Sequence, residues 1–101
     1  MARTTPMLSL LVYDITEDRN RTKIADACLD CGLDRFQNSA YAGYLDRNGQ
    51  EELMLKIEAL LDDTPGSIVL VALDKGAWSK RIVIGQELMR EVERGRIVSA
   101  D

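Results

Sequence analysis

Two segments of this chain are almost continuously apolar, and they set its layout. Met7-Leu8-Ser9-Leu10-Leu11-Val12 runs into Tyr13-Asp14-Ile15, and Ser67-Ile68-Val69-Leu70-Val71-Ala72-Leu73 follows later. Both are short and dense in aliphatic and β-branched residues, which predicts strands. In the first, Leu8, Leu10 and Val12 point to one face while Leu11 and Tyr13 point to the other, so both faces need cover. Between them lies a helical period. Ile24, Ala27, Cys28 and Cys31 fall at i, i+3, i+4 and i+7, with Asp18 or Thr16 available as a cap and Gly32 as a stop. A strand, or a pair of strands, runs from about Leu33 or Arg35 to Leu45, with Gly43 marking a bulge or bend. Asp46-Arg47-Asn48-Gly49 reads as a turn. A second amphipathic helix carries Leu53, Ile57, Leu60 and Leu61, with Met54 beside them, and ends at Asp62-Asp63-Thr64-Pro65-Gly66. Arg81-Ile82-Val83-Ile84-Gly85 reads as a short last strand, and Gln86 to Arg94 has helical spacing.

Two β-α-β halves in this order predict an α+β, ferredoxin-like β-α-β-β-α-β sandwich with a short extra C-terminal strand. Residues 1–6 form an N-terminal extension, 7–85 the domain and 86–101 a tail. Both helices cover the same side of the sheet in such a sandwich. The strands at 7–15 and 67–73 are apolar on their second side as well, so a homodimer that pairs those faces is expected.

The chain has 101 residues, enough for one domain with a single core, and its 46% hydrophobic and 30% charged content is that of a folded protein. A net charge of −4 argues against a strongly basic nucleic-acid binder but leaves room for a local basic patch. No apolar run is long enough to span a membrane and no signal-like segment opens the chain, so a cytoplasmic protein is expected. Cys28 and Cys31 lie at the end of the predicted helix, not at its dipole-activated start, and read as reduced packing residues.

The absences narrow the chemistry. There is no Gly-rich phosphate loop and no histidine, so neither a Ser-His nor a Cys-His pair exists. Carboxylate plus metal is the natural remaining route to catalysis. Asp14 ends the first strand, where burial without a partner would cost several kcal/mol. The polar turn Thr16-Glu17-Asp18-Arg19-Asn20-Arg21-Thr22-Lys23 follows it at once. Asp14 reads either as a ligand of a divalent ion, shared between two copies across a two-fold axis, or as a strand-end acid that caps the next helix or pairs with Arg19 or Arg21. Arg19, Arg21, Lys23 and Arg35 surround that strand end as phosphate contacts, or form an ordinary solvated surface. Trp78, the only tryptophan, reads as packing a loop.

Leu11-Val12-Tyr13-Asp14-Ile15, the turn Asp18-Arg19-Asn20-Arg21, and Gly32-Leu33-x-Arg35-x-Gln37-x-Ser39-x-Tyr41-x-Gly43-x-Leu45 resemble the small CRISPR-associated adaptation proteins of the Cas-two family. The likeness covers roughly residues 7–85, and residues 1–6 precede the family's usual start at Met7. The resemblance implies a ferredoxin-like homodimer and a site of metal-dependent endoribonuclease or endonuclease type. It places magnesium or a similar divalent ion on Asp14 at the dimer cleft. It further implies a CRISPR integrase partner and a scaffold role in spacer acquisition, gripping DNA, or RNA, through phosphates. Arg19, Arg21 and Arg35 match the family's basic positions, Tyr41 sits where an aromatic is common, and residues 81–85 correspond to a last strand that pairs with the partner protomer's sheet. Two rivals remain: a toxin-like ribonuclease of the same fold with no integrase partner, and a ligand-sensing ferredoxin-like dimer. The sensor expects a Gly-rich strand–helix loop, and residues 16–18 contain no glycine.

Overall fold

The computed structural model of the chain describes residues 5–85. Its elements are β1 (Met7–Ile15), α1 (Asp18–Asp30), β2 (Asp34–Gln37), β3 (Ala40–Leu45), α2 (Arg47–Leu61), β4 (Gly66–Leu73) and a short α3 (Lys75–Ser79). The most apolar strand takes the most enclosed place. β1 pairs antiparallel with β3, from Met7 opposite Leu45 to Val12 opposite Ala40. On its other side it pairs antiparallel with β4, from Leu8 opposite Leu73 to Ile15 opposite Gly66. The sheet order β2-β3-β1-β4 is that of the expected ferredoxin-like fold.

Strand alternation divides β1 between two environments. Its odd-numbered residues Leu11, Tyr13 and Ile15 join the core beneath α1 and α2, against Ile24, Cys28, Leu53 and Ile57. Ser9 faces the same way and is fully buried, but its hydroxyl donates to the Met7 carbonyl (3.1 Å) and accepts from Gln50 Nε2 (3.1 Å), so no polar group is stranded. Cys28 is buried in this core as a free thiol, and burial, with Cys31 adding to it, pushes its pKa up to about 12. That is the inert state expected of the pair.

The other face is only half covered. Leu8, Ala42 and Trp78 are buried together there, with Leu10, Phe36, Tyr44 and Leu73 packed against them. Trp78 comes from α3, an element that the apolar pattern does not reveal, and it packs on the sheet instead of within a loop. Phe36 meets its ring edge-on with centroids 5.9 Å apart, and the Arg81 guanidinium lies 4.1 Å from the ring centre. Beyond this cap, Val12 (42% exposed), Val69 (54%) and Val71 (41%) remain open to solvent. They form one patch, because Val69 lies opposite Val12 and Val71 opposite Leu10.

Several local expectations are corrected. Residues 81–85 form no strand within this chain. Arg81 is fastened at the end of α3 by its N–H and Nη1, both donating to the Trp78 carbonyl (3.1 Å each). The residues after it, Ile82 to Ile84, border a groove of about 950 Å³ together with Leu10, Val12 and Trp78 and are exposed. Asp46-Arg47-Asn48-Gly49 is the start of α2, with the Asp46 carboxylate accepting from the Gly49 N–H (2.7 Å). Glu17, not Asp18 or Thr16, caps α1 by accepting from the Asn20 N–H (2.6 Å). The split strand reverses at Asn38-Ser39, and its irregularity lies between Arg35 and Gln37. Gly43 instead marks a close approach: a Cβ there would sit 2.9 Å from the Gly32 carbonyl oxygen and 2.9 Å from Leu33 Cδ2. The helix expected over Gln86–Arg94 lies outside the described residues. Among the described residues, no helix is long and apolar enough to cross a membrane.

Gly43→Ala is expected to destabilise the fold by about 1–3 kcal/mol, the usual cost of forcing an extra carbon into a packed site. Urea denaturation measures it, and an unchanged midpoint would contradict the close approach.

Candidate metal and nucleic-acid site at the end of the first strand

Asp14 follows Val12 on the half-open face of β1, opposite Ser67 of β4, and is exposed. Alternation therefore places a carboxylate at the rim of the apolar patch formed by Val12, Val69 and Val71. Neither structural alternative for Asp14 is realised. Glu17 caps α1, and Arg21 pairs with Asp18, leaving the Asp14 carboxylate with no hydrogen bond or ion pair among the described residues. Its backbone is closely held: a Cβ on Gly66 would stand 2.7 Å from the Asp14 carbonyl oxygen, and Gly66 has φ +153°, a conformation that favours glycine.

The basic residues separate into different roles. Arg21 is half-buried and turned inward, with Nη1 donating to the Ile15 carbonyl (3.1 Å) and Nη2 to the Asp18 carboxylate. Arg19 and Lys23 are exposed on α1, four residues apart and so on one ridge, with no ion pair among the described residues. Asp26 and Asp30 continue that exposed side toward the C-terminal end of α1. Arg19 in the first turn and Asp30 in the last run against the helix dipole, which favours acids at the start and bases at the end, whereas Glu17 and Asp18 run with it. Charges placed against local stability are a mark of function. Arg35 is also exposed, but it stands on edge strand β2 opposite Tyr41 and on the helix-facing side, away from Asp14. The structure thus places Asp14 on the half-open sheet face, Arg19 and Lys23 on α1 over the other face, where Lys23 borders a cavity with Asn20, Asp62 and Asp63, and Arg35 on the edge strand.

Tyr41, expected at the nucleic-acid surface, is placed in the core of the single chain. It lies opposite Leu11, faces the helices and is 3% exposed, stacked on Tyr13 with centroids 6.0 Å apart. Burial, reinforced by a hydrogen bond with Tyr41, pushes the Tyr13 phenol up to about 12. Both rings belong to the core. Gly66 was not among the expected site residues, although the turn signal Thr64-Pro65 before it is visible in the sequence.

As to a metal, the described residues contain no group of three or more His, Cys, Asp or Glu side chains that would hold one. Asp14 has the right chemistry nonetheless: a hard oxygen donor, exposed and unpaired among the described residues. Magnesium keeps several waters and is commonly held by one or two carboxylates. One chain fits as half of such a site.

Residues 7–81 match the family described as CRISPR associated protein Cas2. The chain belongs to the CRISPR-associated Cas2 family. A relative in Chloroflexus aurantiacus, named CRISPR-associated endoribonuclease Cas2 2, is 41% identical over 81 residues, covering 80% of this chain and 95% of the relative. A Thermoproteus tenax protein, named CRISPR-associated endonuclease Cas1/endonuclease Cas2 fusion, is 36% identical over 68% of this chain and 26% of its own length. The crystal structure of Streptococcus pyogenes Cas2 superposes with a TM-score of 0.68 at 21% identity, covering 78% of this chain and all of that one, which shows the shared fold.

Because Arg19 opposes the dipole at the start of α1, Arg19→Glu is expected to raise stability by about 0.5–1 kcal/mol at low salt. Thermal or urea denaturation checks this, and a loss of stability would contradict the assignment of Arg19 as an unpaired, locally unfavourable charge.

Proposed function

We propose that this Cas2-family protein is a homodimeric subunit of CRISPR adaptation, a scaffold that grips DNA through its phosphates and presents it to an integrase subunit during spacer acquisition. The observation that carries the reading is the Asp14 carboxylate, unpaired among the described residues, at the rim of an exposed apolar sheet face. Two copies that pair those faces bury Val12, Val69 and Val71 and bring two Asp14 side chains toward a common axis, which supplies the second carboxylate a magnesium ion calls for. Ile82, Val83 and Ile84, exposed in one chain, are apolar enough to join the partner's sheet as an added strand. The Thermoproteus tenax fusion, which carries a Cas1 and a Cas2 in one polypeptide, supports an integrase as the partner.

Each residue has a definite task in this reading. Arg19 and Lys23, on the exposed ridge of α1, neutralise backbone phosphates without reading sequence, and Arg35 does so further along the molecule. Asp14 orients its oxygens toward the axis. A bound magnesium ion supplies Lewis acidity toward a phosphoryl oxygen and lowers the pKa of a coordinated water. One carboxylate per chain, without histidine, is meagre equipment for a hydrolase, and this favours scaffold over nuclease. The names of the relatives favour the second reading, a metal-dependent ribonuclease built on the same Asp14 pair.

Asp14→Asn separates the two, since the amide keeps the shape and loses the charge. The scaffold reading expects the variant to retain DNA capture with the integrase, and the wild type to cleave RNA and DNA barely above background with magnesium present. Robust wild-type cleavage that magnesium chelation and Asp14→Asn both abolish would establish the nuclease instead.

A further inference from the structure

We propose that Arg21 is a positioning residue for Asp14 and not a phosphate ligand, an assignment that rests on reading Asp14 as the metal-binding carboxylate. Arg21 Nη1 donates to the carbonyl of Ile15 at 3.1 Å and lies 3.5 Å from that of Thr16, while Nη2 engages the Asp18 carboxylate. Ile15 and Thr16 are the two residues that follow Asp14, so this fork fastens the chain where strand β1 passes into helix α1. The opposite side of the same segment is held by β4, whose Gly66 comes too close to the Asp14 carbonyl oxygen to accept a side chain. The Asn20 side-chain amide also donates to the Thr64 hydroxyl, tying the first turn of α1 to the chain that enters β4. The backbone from Asp14 to Thr16 is thus clamped between a helix side chain and a neighbouring strand.

The Asp14 carboxylate itself has no hydrogen bond among the described residues, so apart from its own side-chain rotamers its location follows its backbone. Whatever holds that backbone therefore fixes the bond from which the carboxylate reaches. Only a guanidinium presents enough donors in a fixed plane to reach two carbonyls and a carboxylate together. Its charge is meanwhile directed at Asp18, and its side chain is 39% exposed. Exposed Arg19 and Lys23 keep their charges free for phosphates. A residue that tunes a metal ligand from behind in this way typically changes metal affinity 10–100-fold when removed.

The test compares Arg21→Ala, Arg21→Lys and Arg19→Ala in the full chain. The readouts are the slope of log affinity for duplex DNA against log salt, the affinity for manganese by electron paramagnetic resonance, and the amide resonances of Asp14 and Ile15 without metal or DNA. Arg19→Ala is expected to reduce the slope by about 0.9 for each phosphate that Arg19 neutralises and to leave manganese affinity alone. Arg21→Ala is expected to leave the slope at its wild-type value, weaken manganese binding by about tenfold and shift both amide resonances. Arg21→Lys, which keeps one donor on the Ile15 carbonyl, should recover most of the manganese affinity and return the resonances toward the wild type. Should Arg21→Ala fail to fold, the neutral Arg21→Gln takes its place with the same slope expected. A slope that drops in Arg21→Ala as much as in Arg19→Ala, with manganese affinity intact, would overturn the proposal. Unmoved Asp14 and Ile15 resonances in Arg21→Ala would overturn it as well. Wild-type protein that binds no manganese would instead refute the metal reading of Asp14, and the resonances would then decide the clamp by themselves.

Discussion

Everything in this molecule depends on β1 being a central strand that is apolar on both sides. Its odd-numbered residues nucleate the core under α1 and α2, and its even-numbered residues generate a second apolar surface that the chain covers only in part. Burial of apolar area is worth roughly 25 cal/mol per Å². The second face is therefore a source of binding energy that a single chain does not use. Trp78 and α3 take up the half around Leu8 and Leu73, and the half around Val12 and Val69 stays open. The same alternation that exposes Val12 exposes Asp14 two residues later. Apolar patch and acidic rim are consecutive positions on one side of one strand.

The charges divide along similar lines. Arg21 is absorbed into the architecture of the β1–α1 turn, where it satisfies carbonyl oxygens at the end of the strand. Arg19 and Lys23 are left on a solvent-facing ridge, where Arg19, in the first turn, opposes the dipole of its own helix. A sequence with a net charge of −4 still presents Arg19 and Lys23 together on one exposed ridge of α1. Local placement, not the total, decides what such a surface can meet.

Much of this was legible in the sequence because it follows from periodicity. The period of two in residues 7–15 gave both faces of β1, and the spacing of Ile24, Ala27 and Cys28 gave the buried stripe of α1. What failed was governed by tertiary contact. The five-residue α3 contains Gly76 and shows no period of its own; it forms because Asp74 caps it and Trp78 finds the sheet. The motif Asp46-Arg47-Asn48-Gly49 serves equally as a turn or as a helix start, and only the following helix decides. Tyr41 matched a family position, but its side depended on its register with Leu11, which no local signal reveals. Residues 81–85 have strand composition but form no strand on either edge of their own sheet. Within the site, the place of Asp14 at the end of the strand was readable from the apolar run before it, whereas its exposure and the different uses of Arg19 and Arg21 emerged only from the structure.

The central claim is that the half-open face of β1 and β4 is completed by a second copy of the chain. Sedimentation equilibrium over the micromolar range tests it most directly. The account predicts a single species of twice the 11.3 kDa of one chain. A species that stays at the mass of one chain throughout that range would contradict it, and would remove the shared Asp14 site with it.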